Sequence, residues 1–219
     1  MNLFGLKRFL CHVKYDMPIP PTGLDFFSMT ARQGEEHFEW FMSKIPERMD
    51  YLKARCAKDL KLSVTELDYS AESLILLWRW FLKTARMERT PKEEIEKMKE
   101  GAKIFGKSFI NRTQFTATTE YIIRDIGMYV GQCFVLNYPQ LYWSYEKKGR
   151  SKVYVSVTVN QPRISGFRVC YKGKESGINF VPIHMVHVQA ANFFDHTQKE
   201  IDLYRVYKYW ENNVPKENV

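Results

Sequence analysis

His184 and His187 stand three residues apart, and Asp195 and His196 follow. Three nitrogen or oxygen ligands gathered on one helix face could hold a divalent metal with an open position. An H-x-x-H pair lacks both the four-residue spacing and the general-base glutamate of H-E-x-x-H, so the histidines read as residues of a partly exposed helix, and no metal or other cofactor is implied. A second chemistry can be written from Cys133, which follows Gly131-Gln132, with Asn179, His184, His187 and Asn192 downstream in a Cys-His-Asn set. A nucleophilic thiolate needs a partly exposed, electropositive setting. Cys133 falls late in an apolar helical pattern instead, and the expectation is a buried structural thiol. Glu93, Glu94, Glu96 and Glu100 alternate with Lys92, Lys97 and Lys99 as a solvated helix face does. The stretch from Gly101 to Gly106 has no lysine-serine ending and is no phosphate loop. None of these constellations is a readable catalytic motif, so the chain is expected not to be an enzyme; a site around Cys133 or around His184 and His187 is the enzymatic alternative.

Charge gives a stronger signal. The chain has 33 basic and 25 acidic residues, a net charge of +8. Residues 1–110 are nearly balanced, whereas 147–174 hold Lys147, Lys148, Arg150, Lys152, Arg163, Arg168, Lys172 and Lys174 and no acid. Tyr142, Trp143, Tyr145, Tyr154, Phe167 and Tyr171 are interleaved with them. Such a surface suits an acidic protein partner, and Trp143, Lys147, Lys148, Arg150 and Lys152 are the expected contact residues. It could also track a phosphate backbone and stack bases, so nucleic-acid binding through 142–174 is the alternative, although the distinctive nucleic-acid-binding motifs are missing.

The elements that must carry these residues are legible in part. Residues 1–24 read as an extended arm through Pro18-Ile19-Pro20-Pro21, because proline fixes φ and removes a donor. Residues 25–137 are mainly helical. Phe38, Phe41, Ile45, Met49 and Leu52 recur at helical spacing over 34–61, with Pro46 expected to kink or divide the stretch. Asp68-Tyr69-Ser70 opens a helix over 70–87 that is apolar nearly all round and belongs at the centre of the core. Thr90-Pro91-Lys92-Glu93 reads as a capping box. A further helix, 117–136, carries Gly127 and Gly131 on one face, a device for close approach, and is expected to pack against the helix around Trp78.

Residues 138–182 are expected to be antiparallel strands. Val153, Val155, Val157 and Val159 alternate with polar residues, pairing with 141–146 across the turn at 147–151. Phe167–Tyr171 turns at Lys172-Gly173-Lys174 toward a short strand at Ile178–Val181. Helix returns over 183–212, and 213–219 is a tail. The whole is one α+β domain: an N-terminal helical portion packed on a small antiparallel sheet and closed by C-terminal helices.

Composition agrees with a globular chain of 219 residues, 45% hydrophobic and 26% charged, with an aromatic share of 15%. Cys11, Cys56, Cys133 and Cys170 are scattered without C-x-x-C spacing and fit buried thiols better than disulfides. The first ten residues place charges inside their apolar stretch, unlike a signal peptide, and the apolar run Leu74 to Leu82 is too short to span a bilayer. A cytoplasmic location with no membrane contact is the expectation.

Leu67-Asp68-Tyr69-Ser70-Ala71-Glu72-Ser73-Leu74, then Ile126-Gly127-Met128-Tyr129-Val130-Gly131, then Trp143, form a series. It resembles a loose group of uncharacterised bacterial proteins with a D-x-S-x-x-S-L helix start, a later G-x-Y-x-G helix and a tryptophan strand. The resemblance covers residues 67–145 and is structural. In many members an acid follows the second glycine, where this chain has Gln132. The resemblance implies an accessory or immunity-like protein that neutralises or regulates a partner.

Overall fold

The computed structural model describes residues 15–105, 111–149, 156, 158–192 and 197–216. Among them are six α-helices and two small antiparallel sheets, an α+β fold. The elements run α1 (Ala31–Leu60), α2 (Ser73–Thr84), β1 (Met87–Arg89), α3 (Lys92–Phe105), β2 (Thr113–Phe115), α4 (Ala117–Asn137), β3 (Tyr142–Ser144), β4 (Arg163–Tyr171), β5 (Lys174–Phe180), α5 (Pro182–Ala191) and α6 (Asp202–Glu211). Among the described residues, no helix is long and apolar enough to cross a membrane. Contacts gather into a smaller unit, Met1–Asp16 with Lys83–Ile122, and a larger one, Met17–Leu82 with Ile123–Val219.

In the smaller unit β1 pairs antiparallel with β2, Glu88 opposite Gln114. The sequence pattern gave no sign of this sheet, since three-residue strands are too short to show a period. Thr119 ties it to α4: its Oγ1 accepts from the Arg86 N–H and donates to the Arg86 carbonyl. The capping box expected at Thr90 does not form. Thr90 is buried with no hydrogen-bond partner for its hydroxyl, and its N–H is spent on the Arg112 carbonyl. That bond runs on from the β1–β2 ladder and holds Thr90 to the sheet rather than to the helix.

In the larger unit α1 starts at a capping box in which Thr30 Oγ1 accepts from Gln33 N and the Gln33 side chain accepts from Thr30 N. It runs undivided past Pro46, whose missing donor is tolerated, and ends at Lys61 in the left-handed conformation. Its inward stripe of Phe41, Ile45, Met49, Leu52 and Cys56 is buried. Leu74, Leu77, Trp78, Trp80 and Phe81 of α2 are buried to within 1% exposure, as its nearly uniform apolar character requires. The two indole N–H groups still find acceptors, Trp78 on Gln198 and Trp80 on Asp59.

The three-stranded sheet has the order β3-β4-β5. Trp143 of β3 stands opposite Ile164 of β4, and Ser144 opposite Arg163. The expected hairpin between 141–146 and 153–159 falls largely outside the described residues, and β4 is the strand seen beside β3. Among the described residues, Glu146 makes an isolated parallel bridge to Val159; residues 150–155 and 157 lie outside them. Pairing with β4 buries Ile164 and supplies Ser165, whose hydroxyl lies 2.6 Å from that of Ser144. The longer loop adds little entropy cost, since closure cost grows only logarithmically with length. Phe167 and Phe180, on the inner face of β4 and β5, meet Phe134 of α4, which stacks on Tyr207 of α6.

Candidate functional site

The two quoted motifs meet in the structure and serve architecture. Asp68 Oδ1 accepts from Ser70 N, and Ser70 Oγ accepts from Ser73 N, together capping α2. The Tyr129 hydroxyl of α4 then accepts from Tyr69 N and lies 2.8 Å from Ser73 Oγ. Gly127 and Gly131 do admit close neighbours, but not the Trp78 helix that the sequence suggested. A Cβ at Gly127 would lie 2.6 Å from the Ile183 Cα at the start of α5, and one at Gly131 would lie 2.1 Å from the Trp143 ring.

That notch decides what Trp143 does. Its ring sits over Gly131 and edge-on to Phe41, with its N–H on the Gln132 side chain, so it is partly buried within the fold. The other expected contact residues are placed as follows. Lys147 pairs with Glu35 at 3.3 Å between two half-exposed side chains, and Lys148 Nζ donates to the Phe27 carbonyl at 2.6 Å. Arg150 and Lys152 lie outside the described residues. Arg163 is drawn inward onto Glu146 at 2.9 Å.

Charge that faces solvent lies farther along, on the β4–β5 ribbon. Arg168, Lys172 and Lys174 are exposed, with Glu175 the one acid among them, and Tyr171 is 71% exposed with Lys172 Nζ 5.3 Å from its ring centre. Lys172 and Gly173 form a two-residue loop at φ 50° and 74°, the doubly positive φ of a type I′ turn. Such a turn matches the right-handed twist of the strands and holds the register of Tyr171 against Lys174. Sequence reasoning counted these three cations in the basic region but took its contact residues from 143–152.

Among the described residues, the candidate chemical groups do not come together in a metal-binding cluster. Cys133 is fully buried, and burial, with Asp68 as a lesser cause, pushes its thiol well above the usual range, opposite to what a nucleophile needs. His184 and His187 are both on exposed positions of α5, and His196 and Asp195 lie outside the described residues. Among the described residues no group of three or more His, Cys, Asp or Glu side chains could hold a metal ion.

Two buried polar features escaped the sequence reading. Arg48 of α1 grips Asp125 of α4, Nη2 to Oδ2 at 2.6 Å and Nε to both oxygens at 3.2 Å, with side-chain exposures of 4% and 0%. Seventy-seven residues separate them, and nothing local marks either one. His37, fully buried, has Nδ1 3.0 Å from Thr22 Oγ1 and Nε2 without a partner. Burial, and secondarily the charge of Arg124, lowers its pKa to about 4. Neither lies at an open surface, so both read as supports of the fold. No family model, no curated protein and no solved structure matches this chain.

Proposed function

We propose that this chain is a non-catalytic, cytoplasmic binding module that holds an acidic surface of a partner protein, in the manner of an accessory or immunity-like protein. The observation that carries the reading is the β4–β5 ribbon, on which Arg168, Lys172, Lys174 and Tyr171 all face solvent. A binding protein needs a rigid scaffold and a complementary surface, and here a packed aromatic core supports an exposed basic one. The buried thiol of Cys133 supports the non-catalytic part of the reading.

The ribbon is a better target than the earlier cluster, because Lys147 and Lys148 already have partners within the chain. Tagged wild-type protein and the triple variant Arg168→Glu/Lys172→Glu/Lys174→Glu are used to capture partners from nuclease-treated source cells. The wild type is expected to retain one protein in stoichiometric amount, and the variant, melting at the same temperature, to lose it. Equal capture by both refutes the reading. Material that vanishes on nuclease treatment makes the ribbon a nucleic-acid surface, whose affinity would fall steeply with salt.

A further inference from the structure

Resting on that reading, we infer that the partner binds as an extended acidic segment that adds a fourth strand to the sheet along the free edge of β5. In a two-residue hairpin the residues flanking the loop exchange backbone hydrogen bonds, and pairs alternate from there. Tyr171 and Lys174 flank the loop, so Cys170 with Glu175 and Arg168 with Gly177 are the non-bonded pairs. Their N–H and C=O groups point away from the partner strand. Arg168 bears this out from the other side: its N–H donates to the Asn213 carbonyl at 2.8 Å, away from β5.

On β5 the same alternation turns the N–H and C=O of Glu175, Gly177 and Asn179 outward, a ladder about 14 Å long at strand rise. The two edges of the ribbon are therefore treated differently. On the β4 side the chain answers Arg168 with Asn213, while on the β5 side no backbone group of the described residues answers Glu175, Gly177 or Asn179. Lys174, Glu175, Ser176, Gly177 and Asn179 are all exposed, and β5 carries no proline. Free N–H and C=O rows of this kind are templates for strand addition.

Charge selects the occupant. A strand laid beside β5 passes next to Lys174. Across Gly177 it also lies within reach of Arg168, because Gly177 has no side chain and a Cβ there would meet only the Phe167 carbonyl, at 4.0 Å. Acids three positions apart in the incoming segment, one beside Lys174 and one beside Gly177, would thus meet a cation on each face of the sheet. A second copy of this chain is disfavoured as occupant, since each copy has a net charge of +8 and would bring the same cations to the shared edge.

The test uses the full chain labelled with nitrogen-15. Its probes are a capped Val octapeptide with Glu at every third position (the Glu-Val peptide), its Lys-Val counterpart, and the Glu-Val peptide N-methylated on the edge that would pair. The Glu-Val peptide is expected to shift the ribbon amides saturably and to slow exchange at Glu175, Gly177 and Asn179 at least tenfold, while the other two probes do neither. Gly177→Pro, which removes an outward donor and no internal one, is expected to abolish the protection without changing the melting temperature. Shifts at Arg168, Lys172 and Lys174 that survive Gly177→Pro and N-methylation, with no amide protected, overturn strand addition while leaving the basic-surface reading standing. Protection by the Lys-Val peptide as well overturns the acidic class. Concentration-dependent protection without peptide, with a dimer in sedimentation, makes the occupant a second copy, and no response to any peptide overturns the proposal outright.

Discussion

Replacing Asp125 with Asn keeps the shape of the side chain and removes its charge, so the buried Arg48 guanidinium loses the carboxylate it grips. The pair is bidentate, Nη2–Oδ2 at 2.6 Å and Nε at 3.2 Å from both oxygens, and the arginine is only 4% exposed. Its guanidinium carbon also lies 4.6 Å from the centre of the Tyr51 ring. Breaking a buried pair on one side costs about 3–5 kcal/mol, because the surviving charge keeps its desolvation cost and loses its compensation. With domain stabilities of roughly 5–15 kcal/mol, that is a large part of the total. At roughly 2–4 °C per kcal/mol for a chain of this size, the melting temperature should fall by about 6–20 °C. The assay is urea unfolding followed by far-ultraviolet circular dichroism, with the midpoint expected to drop at constant slope. Because the pair is out of water, the loss should be the same at low and high ionic strength. The double variant Arg48→Met/Asp125→Leu removes both charges and should recover most of the loss. A single-variant cost below about 1 kcal/mol, or a double variant no better than the single, would refute the claim that an uncompensated buried charge is the cause.

Gly127→Ala and Gly131→Ala should both destabilise despite alanine's gain of about 1 kcal/mol in helix propensity. Gly127→Ala should cost more, because its Cβ meets the Ile183 backbone whereas that of Gly131 meets a ring that can shift; Gly131→Ala should also alter the near-ultraviolet spectrum of Trp143. Stability should decline as pH falls from about 6.5 to about 4. His37 is held neutral in the fold but is protonated in the unfolded chain over that window, which binds more protons there. The loss amounts to about 3 kcal/mol at 1.36 kcal/mol per pKa unit. His37→Leu should flatten that slope, and an unchanged slope in equilibrium unfolding would count against it. In a Cys11→Ser background, Cys170 should react with a thiol reagent in the native protein while Cys56 and Cys133 react only on unfolding, since burial pushes the Cys56 thiol up to about 12 and that of Cys133 also well up. Cys133→Ala should lower the melting temperature, as the loss of a fully buried side chain does.

The helices were legible because their signals are local. Phe41, Ile45, Met49 and Leu52 sit at the spacing that puts them on one face, and all four are buried. The turn at Lys172-Gly173 was legible for the same reason, because two residues with positive φ suffice to make it. What could not be read is what depends on distant partners. Thr90 has the sequence of a cap but its backbone belongs to a sheet closed by Arg112. Lys147 stands in a run without acids, yet Glu35, 112 residues earlier, answers it. Trp143 looks like a contact residue until Gly131 supplies the notch that receives its ring.

These particulars bear on where a partner could dock. On the inner face of the ribbon the residues run Phe167, Val169, Tyr171 along β4 and Phe180, Ile178, Ser176, Lys174 along β5. Phe167 and Phe180 are buried among Phe134 and Trp210, whereas Tyr171 and Lys174 at the far end are exposed. The strands thus continue past the end of the core that stabilises them, with a favourable turn but no packing at the tip. A two-stranded ribbon beyond its core is marginal in water, and it gains most from a further strand that completes its ladder. Lys172 and Lys174 at its tip and Arg168 across Gly177 face solvent, so an acidic strand added there would gain charge contacts together with a completed ladder.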